Sequence, residues 1–187
     1  MRVTIDTCVL YPTIMRELLF GAADAGLFEP RWSGRILGEW ERISVRRGPE
    51  DEALTSGEIA RANARFPAAL TPKALADQAK ALEQRLYLPD ANDIHILAHA
   101  VANGSDTILT VNAKDFPRNI LAEEGLSRAD PDNFLLGFLR ASPGVMEPVI
   151  MSVVGKAQAL SGFDWTPRNL LRKARLPRLG KACLDFA

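Results

Sequence analysis

Carboxylate side chains recur at separated points of the sequence, where an apolar segment ends or a helix is predicted to begin. They are Asp6, Glu39, Asp90, Asp93 and Asp115, with the neutral Asn112 close to the last of them. All of these are oxygen donors, which favour a hard cation such as Mg²⁺ or Mn²⁺ over zinc. No protein cation is evident in the same segments, and packing three or four carboxylates together without one raises their pKa values. A divalent ion removes that cost and supports phosphodiester hydrolysis.

Two of these acids lie at one predicted helix start. Pro89 ends the preceding segment, and Asp90 is a good N-cap for a helix over about residues 91–102. At roughly 100° per residue, Asp93 lies about 60° from Asp90 around the helix axis. A capping box, with Asp93 in place of the usual glutamate, explains the pair without any metal. This stretch alone favours capping, and the metal interpretation depends on the other acids.

Glu39 also has two interpretations. It lies in the middle of a helix predicted from Ser33 to about Arg46. A surface ion pair with Arg42 or Arg35 would contribute only a few tenths of a kcal/mol. Glu41 competes with Glu39 for any metal role, but it lies about 200° away around the axis and is expected to face solvent. The spacing within this helix does not decide between an ion pair and a metal ligand.

Two histidines lie four residues apart on the predicted acidic helix, which is a spacing that zinc sites use. His95 and His99 lie about 200° and 240° from Asp93 around the axis, and no H-E-x-x-H frame surrounds them. Packing or surface histidines are therefore favoured over zinc ligands. The chain also lacks a nucleophile elbow, a Walker A loop and a glycine-rich dinucleotide motif.

The elements that would position these residues alternate between strands and helices. Strands are predicted at about 2–6, 28–32 and 107–111 and after Leu126, and helices at about 12–26, 33–46, 52–66, 72–86, 91–102 and 131–141. A short segment at about 119–124 follows the third strand and its turn. This alternation predicts an α/β fold with a mostly parallel sheet. Ligands bind such sheets at the carboxyl ends of the strands. Asp6 and the 112–115 turn both follow strands, so we expect them at that edge.

The pattern changes after residue 142, where only helices are predicted, at about 145–160, 167–174 and 177–184. We therefore predict a domain of residues 1–141 and a helical extension of residues 142–187. Six basic residues lie between Trp165 and the C-terminus, against the single acid Asp185. They are Arg168, Arg172, Lys173, Arg175, Arg178 and Lys181. Such a run is usually a solvated helix face, and the alternative is a surface that binds phosphates or a partner.

Composition limits the class of protein. The chain has 187 residues and a net charge of zero, so any binding to nucleic acid must come from local patches. Its two cysteines, Cys8 and Cys183, lie at opposite ends without metal-ligand spacing. No apolar run approaches the ~18 residues of a membrane span, and the first residues lead directly into a strand. We expect a reduced cytoplasmic protein with no membrane segment.

Four segments together resemble the PIN-domain proteins, a metal-dependent ribonuclease fold that includes the VapC-type toxins of bacterial toxin–antitoxin pairs. They are Ile5–Leu10, Ile36–Trp40, Asp90–Ala100 and Thr110–Pro117. The resemblance covers about residues 1–140. It implies a PIN-like, Rossmann-like three-layer domain with a parallel sheet, and the helical C-terminal appendage is similar to extensions in some branches of the family.

The resemblance also implies roles for individual residues. The catalytic acids would be Asp6, Glu39, Asp93 and Asp115, and the metal ligands would be these four with Asp90. Asn112 would be a neutral auxiliary member of the site, and beside these residues we expect Thr7 or Thr110 to position the substrate phosphate or a metal-bound water. Two positions depart from the family pattern, since Asn112 stands where many relatives have aspartate and Cys8 where asparagine is common. The first departure leaves open whether Asn112 or Asp115 completes the site.

The function implied is a divalent-metal-dependent endoribonuclease that uses Mg²⁺ or Mn²⁺ and acts on RNA. In a toxin–antitoxin setting its protein partner would be a cognate antitoxin, and a homodimer is compatible with the resemblance. The alternative is a catalytically inactive PIN-like module that binds RNA or protein, which Asn112 and the zero net charge favour. A phosphoacceptor domain is disfavoured, because the segment after Asp6 lacks the second acid that such chemistry needs.

Overall fold

A computed structural model describes residues 1–183 of the chain. It contains an α/β arrangement in which four short strands are connected mainly by helices. The strands are β1 (Arg2–Ile5), β2 (Glu29–Arg31), β3 (Thr107–Leu109) and β4 (Ser127–Ala129). The helices are α1 (Thr7–Leu10), α2 (Thr13–Asp24), α3 (Gly34–Val45), α4 (Pro49–Arg65), α5 (Lys73–Leu82), α6 (Ile94–Ala102), α7 (Arg118–Glu123), α8 (Pro131–Ala141), α9 (Pro143–Ser161), α10 (Pro167–Lys173) and α11 (Pro177–Ala182).

The four strands form one sheet in the order β2-β1-β3-β4. Strand β1 pairs in parallel with both β2 and β3, and Val3 lies opposite Pro30 on one side and Thr107 on the other. The apolar side chains of the two central strands, Ile5 and Leu109 among them, have no exposed surface. Strands covered on both faces are expected to be mainly apolar, and the buried residues of β1 and β3 are apolar apart from Thr4 and Thr107. The predicted parallel α/β fold is confirmed.

The strand order reverses between β1 and β3, so this is the topological switch point of the sheet. Asp6 follows β1 directly, and its backbone N–H donates to the carbonyl of Leu109, 3.1 Å away, at the end of β3. Thr110 is the next residue after β3. Asp6 and Thr110 therefore lie side by side at the carboxyl edge of the two central strands, which is the edge that the sequence predicted for Asp6.

Most predicted elements are present within a few residues of their expected bounds, and two local features differ. The single-turn helix α1 follows β1 immediately and is absent from the sequence-based prediction. The acidic helix begins as a 3-10 turn, Ala91–Asp93, and becomes α-helical only at Ile94. The predicted end of the last helix near residue 184 and the lone acid Asp185 lie outside the described residues.

The chain divides into two compact units. Unit 1 comprises Met1–Tyr11 and Glu29–Arg128, and unit 2 comprises Pro12–Phe28 and the chain from Ala129 onward. Unit 1 contains the sheet edge described above, and unit 2 contains α2 and α8 to α11. The sequence-based domains, 1–141 and 142–187, stay a prediction. Among residues 1–183, no helix has both the length and the apolar character that a membrane span requires.

Candidate active site

Asp6 is held in place by three hydrogen bonds at the end of β1. Its Oδ2 atom accepts the hydroxyl of Thr110 at 2.6 Å and the thiol of Cys8 at 2.9 Å. Its Oδ1 atom accepts the backbone N–H of Cys8 at 3.4 Å, so Asp6 also caps α1. The residue is only 7 % exposed. A nearly buried carboxylate with these donors is fixed in one orientation.

Thr110 connects Asp6 to the turn that follows β3. The Oγ1 atom of Thr110 accepts the backbone N–H of Asn112 at 2.9 Å while its proton is donated to Asp6. The side-chain amide of Asn112 in turn donates to Oδ2 of Asp115. One continuous chain of hydrogen bonds therefore orients the two acids that the sequence placed at separate strand ends.

A second group of carboxylates surrounds the 3-10 turn. One carboxylate oxygen from each of Asp90, Asp93 and Asp115 lies within 4.8 Å of the other two, and all three residues are half-buried. Asp90 caps the turn as predicted, since its Oδ1 atom accepts the backbone N–H of Asn92 at 2.9 Å. Asp93 makes no capping bond, and its buried Oδ2 atom has no hydrogen-bond partner within residues 1–183. The capping explanation therefore holds for Asp90 and not for Asp93.

The pKa of Asp93 is strongly shifted by its surroundings. Burial, followed by the nearby charges of Asp6, Asp90 and Asp115, raises the pKa of Asp93 to about 6, and the charge of His95 offsets only part of this. In the absence of a metal ion, an acid with such a pKa keeps its proton up to about pH 6, and a bound cation would take the place of that proton. Because the charge of Asp6 contributes to this shift, Asp6 at the sheet edge belongs to the same electrostatic cluster as Asp90, Asp93 and Asp115.

Glu39 approaches the cluster from α3 and is bound by several groups. The Nε2 atom of His95 lies 2.7 Å from Oε1 of Glu39, and the hydroxyl of Thr7 donates to Oε2 at 3.0 Å. Arg42 lies 3.6 Å away, whereas Arg35 pairs with another acid. Partial burial raises the pKa of Glu39, but His95, Thr7 and Arg42 together hold it below its ordinary value.

Some sequence-based expectations at this acid are confirmed and one is wrong. Glu41 is exposed, as its angular position predicted, and the ion pair of Glu39 with Arg42 exists. The expectation that the acids meet no protein cation is wrong at Glu39. By contrast, none of the four aspartates forms an ion pair with an arginine or lysine in the part of the chain that the structure describes.

The two histidines of α6 have different roles, and the sequence reasoning grouped them together. His95, which is 4 % exposed, reaches the site from the buried side of the helix and contacts Glu39. His99 lies one turn further on, where burial lowers its pKa to about 3 and its Nδ1 atom lies 3.0 Å from both the Thr71 hydroxyl and the Asn103 amide. His99 is a neutral packing residue as predicted, and His95 is a site residue that was missed.

Three of the five acids line one pocket of about 320 Å³ within unit 1. Its predicted members are Asp6, Thr7, Glu39, Asp93 and Asn112. Arg42, predicted only as an ion-pair partner of Glu39, and Arg46, which was not predicted at all, line the same pocket and are exposed. Asp90 and Asp115 join through their cluster with Asp93. Every site residue predicted from the sequence therefore either lines the pocket or belongs to the carboxylate cluster, except Thr110. Thr110 contacts the site through its hydrogen bond to Asp6.

The donor set fits a hard divalent cation. Its members are carboxylate oxygens, and one of them, Oδ2 of Asp93, is buried with no hydrogen-bond partner in the described part of the chain. A cation at this point would bind the unpartnered atom and remove the repulsion that raises the pKa of Asp93. Oxygen-only ligands favour Mg²⁺ or Mn²⁺ over softer metals.

Comparison with known proteins agrees with this geometry. The family described as PIN domain matches residues 2–114, which is more than half of the chain and contains all the site acids except Asp115. Searches of curated proteins and of solved structures find no match. PIN domains are generally nucleases, so the fold is a nuclease fold. The chain belongs to the PIN-domain family.

Proposed function

We propose that this protein is a divalent-metal-dependent endoribonuclease that hydrolyses RNA phosphodiester bonds. The observation that carries the proposal is the buried, unpartnered Oδ2 atom of Asp93, whose carboxylate lies in a cluster with those of Asp90 and Asp115. Such an arrangement is unfavourable in a protein without a counter-ion and becomes favourable when a cation is bound.

The proposed ligands of Mg²⁺ or Mn²⁺ are Asp6, Glu39, Asp90, Asp93 and Asp115. When bound, such an ion supplies activation of a water and stabilisation of the charge that develops on the phosphodiester. Thr110 and Cys8 keep Asp6 in a single orientation, and His95 and Thr7 do the same for Glu39. Because its pKa is low, Glu39 stays ionised at neutral pH and is able to bind a cation or orient a water.

We propose that Arg42 and Arg46, rather than Thr7, position the substrate. Thr7 donates its hydroxyl to Oε2 of Glu39 and to the carbonyl of Ile36, so we propose that it orients Glu39 rather than the substrate. Arg42 and Arg46 are exposed and line the pocket, which suits contact with substrate phosphates. Phosphate contacts from arginine would hold an RNA strand over the acids without selecting its sequence.

The direct test is cleavage of a fluorescently labelled RNA by the full chain in Mn²⁺, in Mg²⁺ and in excess EDTA. We expect cleavage only with metal, and Asp93→Asn and Glu39→Gln to lose it by more than about a hundredfold, since both remove a ligand rather than its support. Glu41→Gln is the matched control, because Glu41 is exposed on the same helix and should retain full activity. Equal cleavage by wild type, Asp93→Asn and Glu39→Gln would contradict the proposal. No cleavage by any of them, with RNA still bound, would favour the inactive binding module.

We further propose that the protein acts as the toxin of a toxin–antitoxin pair, a role that rests on the family resemblance. This setting implies a cytoplasmic location and an antitoxin that covers the acidic pocket, and it is compatible with a homodimer. Induced expression in bacteria should stop growth for wild type and not for Asp93→Asn. Growth arrest by both proteins would show that the arrest does not depend on RNA cleavage. If neither protein arrests growth, the toxin role is contradicted.

A further inference from the structure

A second concave surface lies entirely within unit 2, apart from any residue of the proposed active site. It is a groove of about 740 Å³ between α8, α9 and α11. Three basic side chains line it, Arg140 on α8 and Arg178 and Lys181 on α11, and Glu147 on α9 is its acidic side chain. We call these four residues and the apolar floor beneath them the basic groove.

The three cations of the basic groove are exposed and unpaired. Among residues 1–183, none of Arg140, Arg178 and Lys181 has a side-chain hydrogen bond or an ion pair with an acid. Other surface cations of the chain do form such pairs, as Arg85 does with Glu124 and Lys156 with Glu17. Within residues 1–183, the basic groove therefore carries three basic side chains against the single acid Glu147, and no ion pair neutralises the three cations.

The backbone that carries these charges is anchored. Asp132, which is 8 % exposed, accepts the backbone N–H groups of Arg178 and Leu179 at 2.9 Å each, which fixes the start of α11 against α8. Helix α11 also packs tightly on α10, because a Cβ atom at Gly180 would lie 3.1 Å from the carbonyl oxygen of Arg168. Arg178 and Lys181 thus project from a rigid element, which lowers the entropic cost of binding a ligand.

We infer that the basic groove binds the phosphate backbone of single-stranded RNA. This inference rests on the proposed function, since it gives the ribonuclease a second contact with its own substrate. The chain has no net charge, so attraction for a polyanion must come from a local excess of cations such as this one. The floor, formed by Leu136, Leu139 and Pro143, offers an apolar surface for a ribose or a base between the phosphates.

Further cations lie on and just after α10, the helix against which Gly180 of α11 packs. Four further basic residues of the α10 region are exposed, and they are Arg168, Arg172, Lys173 and Arg175. They add to the number of cations that unit 2 offers to a polyanion. Extended runs of cations suit a polymer with regular charge spacing better than a single small anion.

The test measures binding of a fluorescein-labelled single-stranded RNA to the full chain by anisotropy, in EDTA and over a series of KCl concentrations. The groove variant is Arg140→Gln/Arg178→Gln/Lys181→Gln. The matched control is Lys73→Gln/Lys80→Gln/Arg118→Gln, which removes the same charge from exposed positions of unit 1. Thermal unfolding of both variants verifies that they fold. A parallel titration with poly-aspartate represents an acidic protein partner.

For three lost phosphate contacts, we expect the slope of log Kd against log[KCl] to fall by about 2. We also expect the Kd of the groove variant at low salt to rise at least about tenfold, with the control within about twofold of wild type. The inference is overturned if the groove variant and the control bind RNA equally well. It is also overturned if the groove variant loses binding to poly-aspartate but keeps its binding to RNA. Failure of the proposed function is a separate result. In that case the protein does not cleave RNA when metal is added, whereas its binding to RNA in EDTA is unaffected.

Discussion

His95 and Glu39 are in direct contact, with the Nε2 atom of the imidazole 2.7 Å from Oε1 of the carboxylate. The two residues come from different helices, α6 and α3, and their contact connects the helix that carries Asp93 with the one that carries Glu39. A buried imidazole at this distance limits the orientations of the carboxylate. In metal sites, such supporting contacts typically contribute tenfold to a hundredfold in metal affinity or activity.

Replacing His95 should therefore weaken the site without removing a ligand. We expect His95→Ala to raise the Mn²⁺ concentration needed for half-maximal cleavage by about tenfold or more, because Glu39 is freed to rotate. His95→Gln, which retains a donor, should recover part of the loss. His99→Gln is the matched control on the same helix, and it should lower stability without changing the Mn²⁺ requirement. The same Mn²⁺ requirement for His95→Ala and wild type would contradict the positioning role.

The raised pKa of Asp93 makes metal-free stability depend on pH. In the folded protein the pKa is about 6, against an ordinary value of 3.8, so between these values the folded state binds more protons than the unfolded state. The free energy of unfolding therefore falls as pH rises from about 4 to about 6. Asp93→Asn removes this penalty, and we expect it to be more stable than wild type above pH 6 by about 1 kcal/mol, after allowance for its partial exposure.

Urea unfolding in EDTA at several pH values measures this difference. The two proteins should be equally stable at about pH 4 and should diverge as the pH is raised. In excess Mn²⁺ the order should reverse at neutral pH, because only wild type gains the free energy of metal binding. A stability difference that is the same at pH 4 and pH 7 would show that Asp93 does not titrate as the structure indicates.

Thr110 should matter both for folding and for metal binding. Thr110→Val keeps the side-chain shape but removes the donor to Asp6 and the acceptor for Asn112, and it should cost about 1–2 kcal/mol of unfolding free energy. Released from this bond, Asp6 should also bind metal more weakly. Thr110→Ser preserves the hydroxyl and should restore the Mn²⁺ affinity, as measured by calorimetry. A valine variant with the affinity of wild type would rule out the orienting role.

The neutral residue of the 112–115 turn gives a prediction of opposite sign. The amide of Asn112 donates to Asp115, so Asn112→Asp replaces an attraction by repulsion between two carboxylates. The metal-free variant should have a lower Tm than wild type, and added Mn²⁺ should raise its Tm by a larger amount. Differential scanning fluorimetry with and without Mn²⁺ measures both shifts. A variant that Mn²⁺ stabilises less than it does wild type would mean that Asn112 lies outside the metal site.

The parts of this site that could be predicted from the sequence are those that depend on where strands end. Asp6 and Asn112 follow apolar strand segments, and a parallel sheet brings such positions to one edge whatever the details of packing. Asp90 was predictable as a cap for the same reason, since capping is a local property of the chain. These residues needed no knowledge of how distant elements pack.

The parts that were missed depend on tertiary contacts or on departures from ideal helix geometry. Helix α1 is a single turn between Asp6 and Pro12, too short to show any periodicity. Angles around an α-helix axis were applied to Asp93, which lies in a 3-10 turn, so they misplaced His95 relative to the acid. The contact of His95 with Glu39 joins positions 56 residues apart, and no local pattern indicates it.

The most direct test of the central claim, that separated acids jointly hold a divalent ion, is calorimetric titration of the metal-free chain with Mn²⁺ at pH 7. Wild type should bind the ion, and Asp6→Asn and Asp93→Asn should each bind it at least about tenfold more weakly, whereas Glu41→Gln should bind as wild type does. Undetectable binding of Mn²⁺ by wild type, or the same affinity in all four proteins, would contradict the claim.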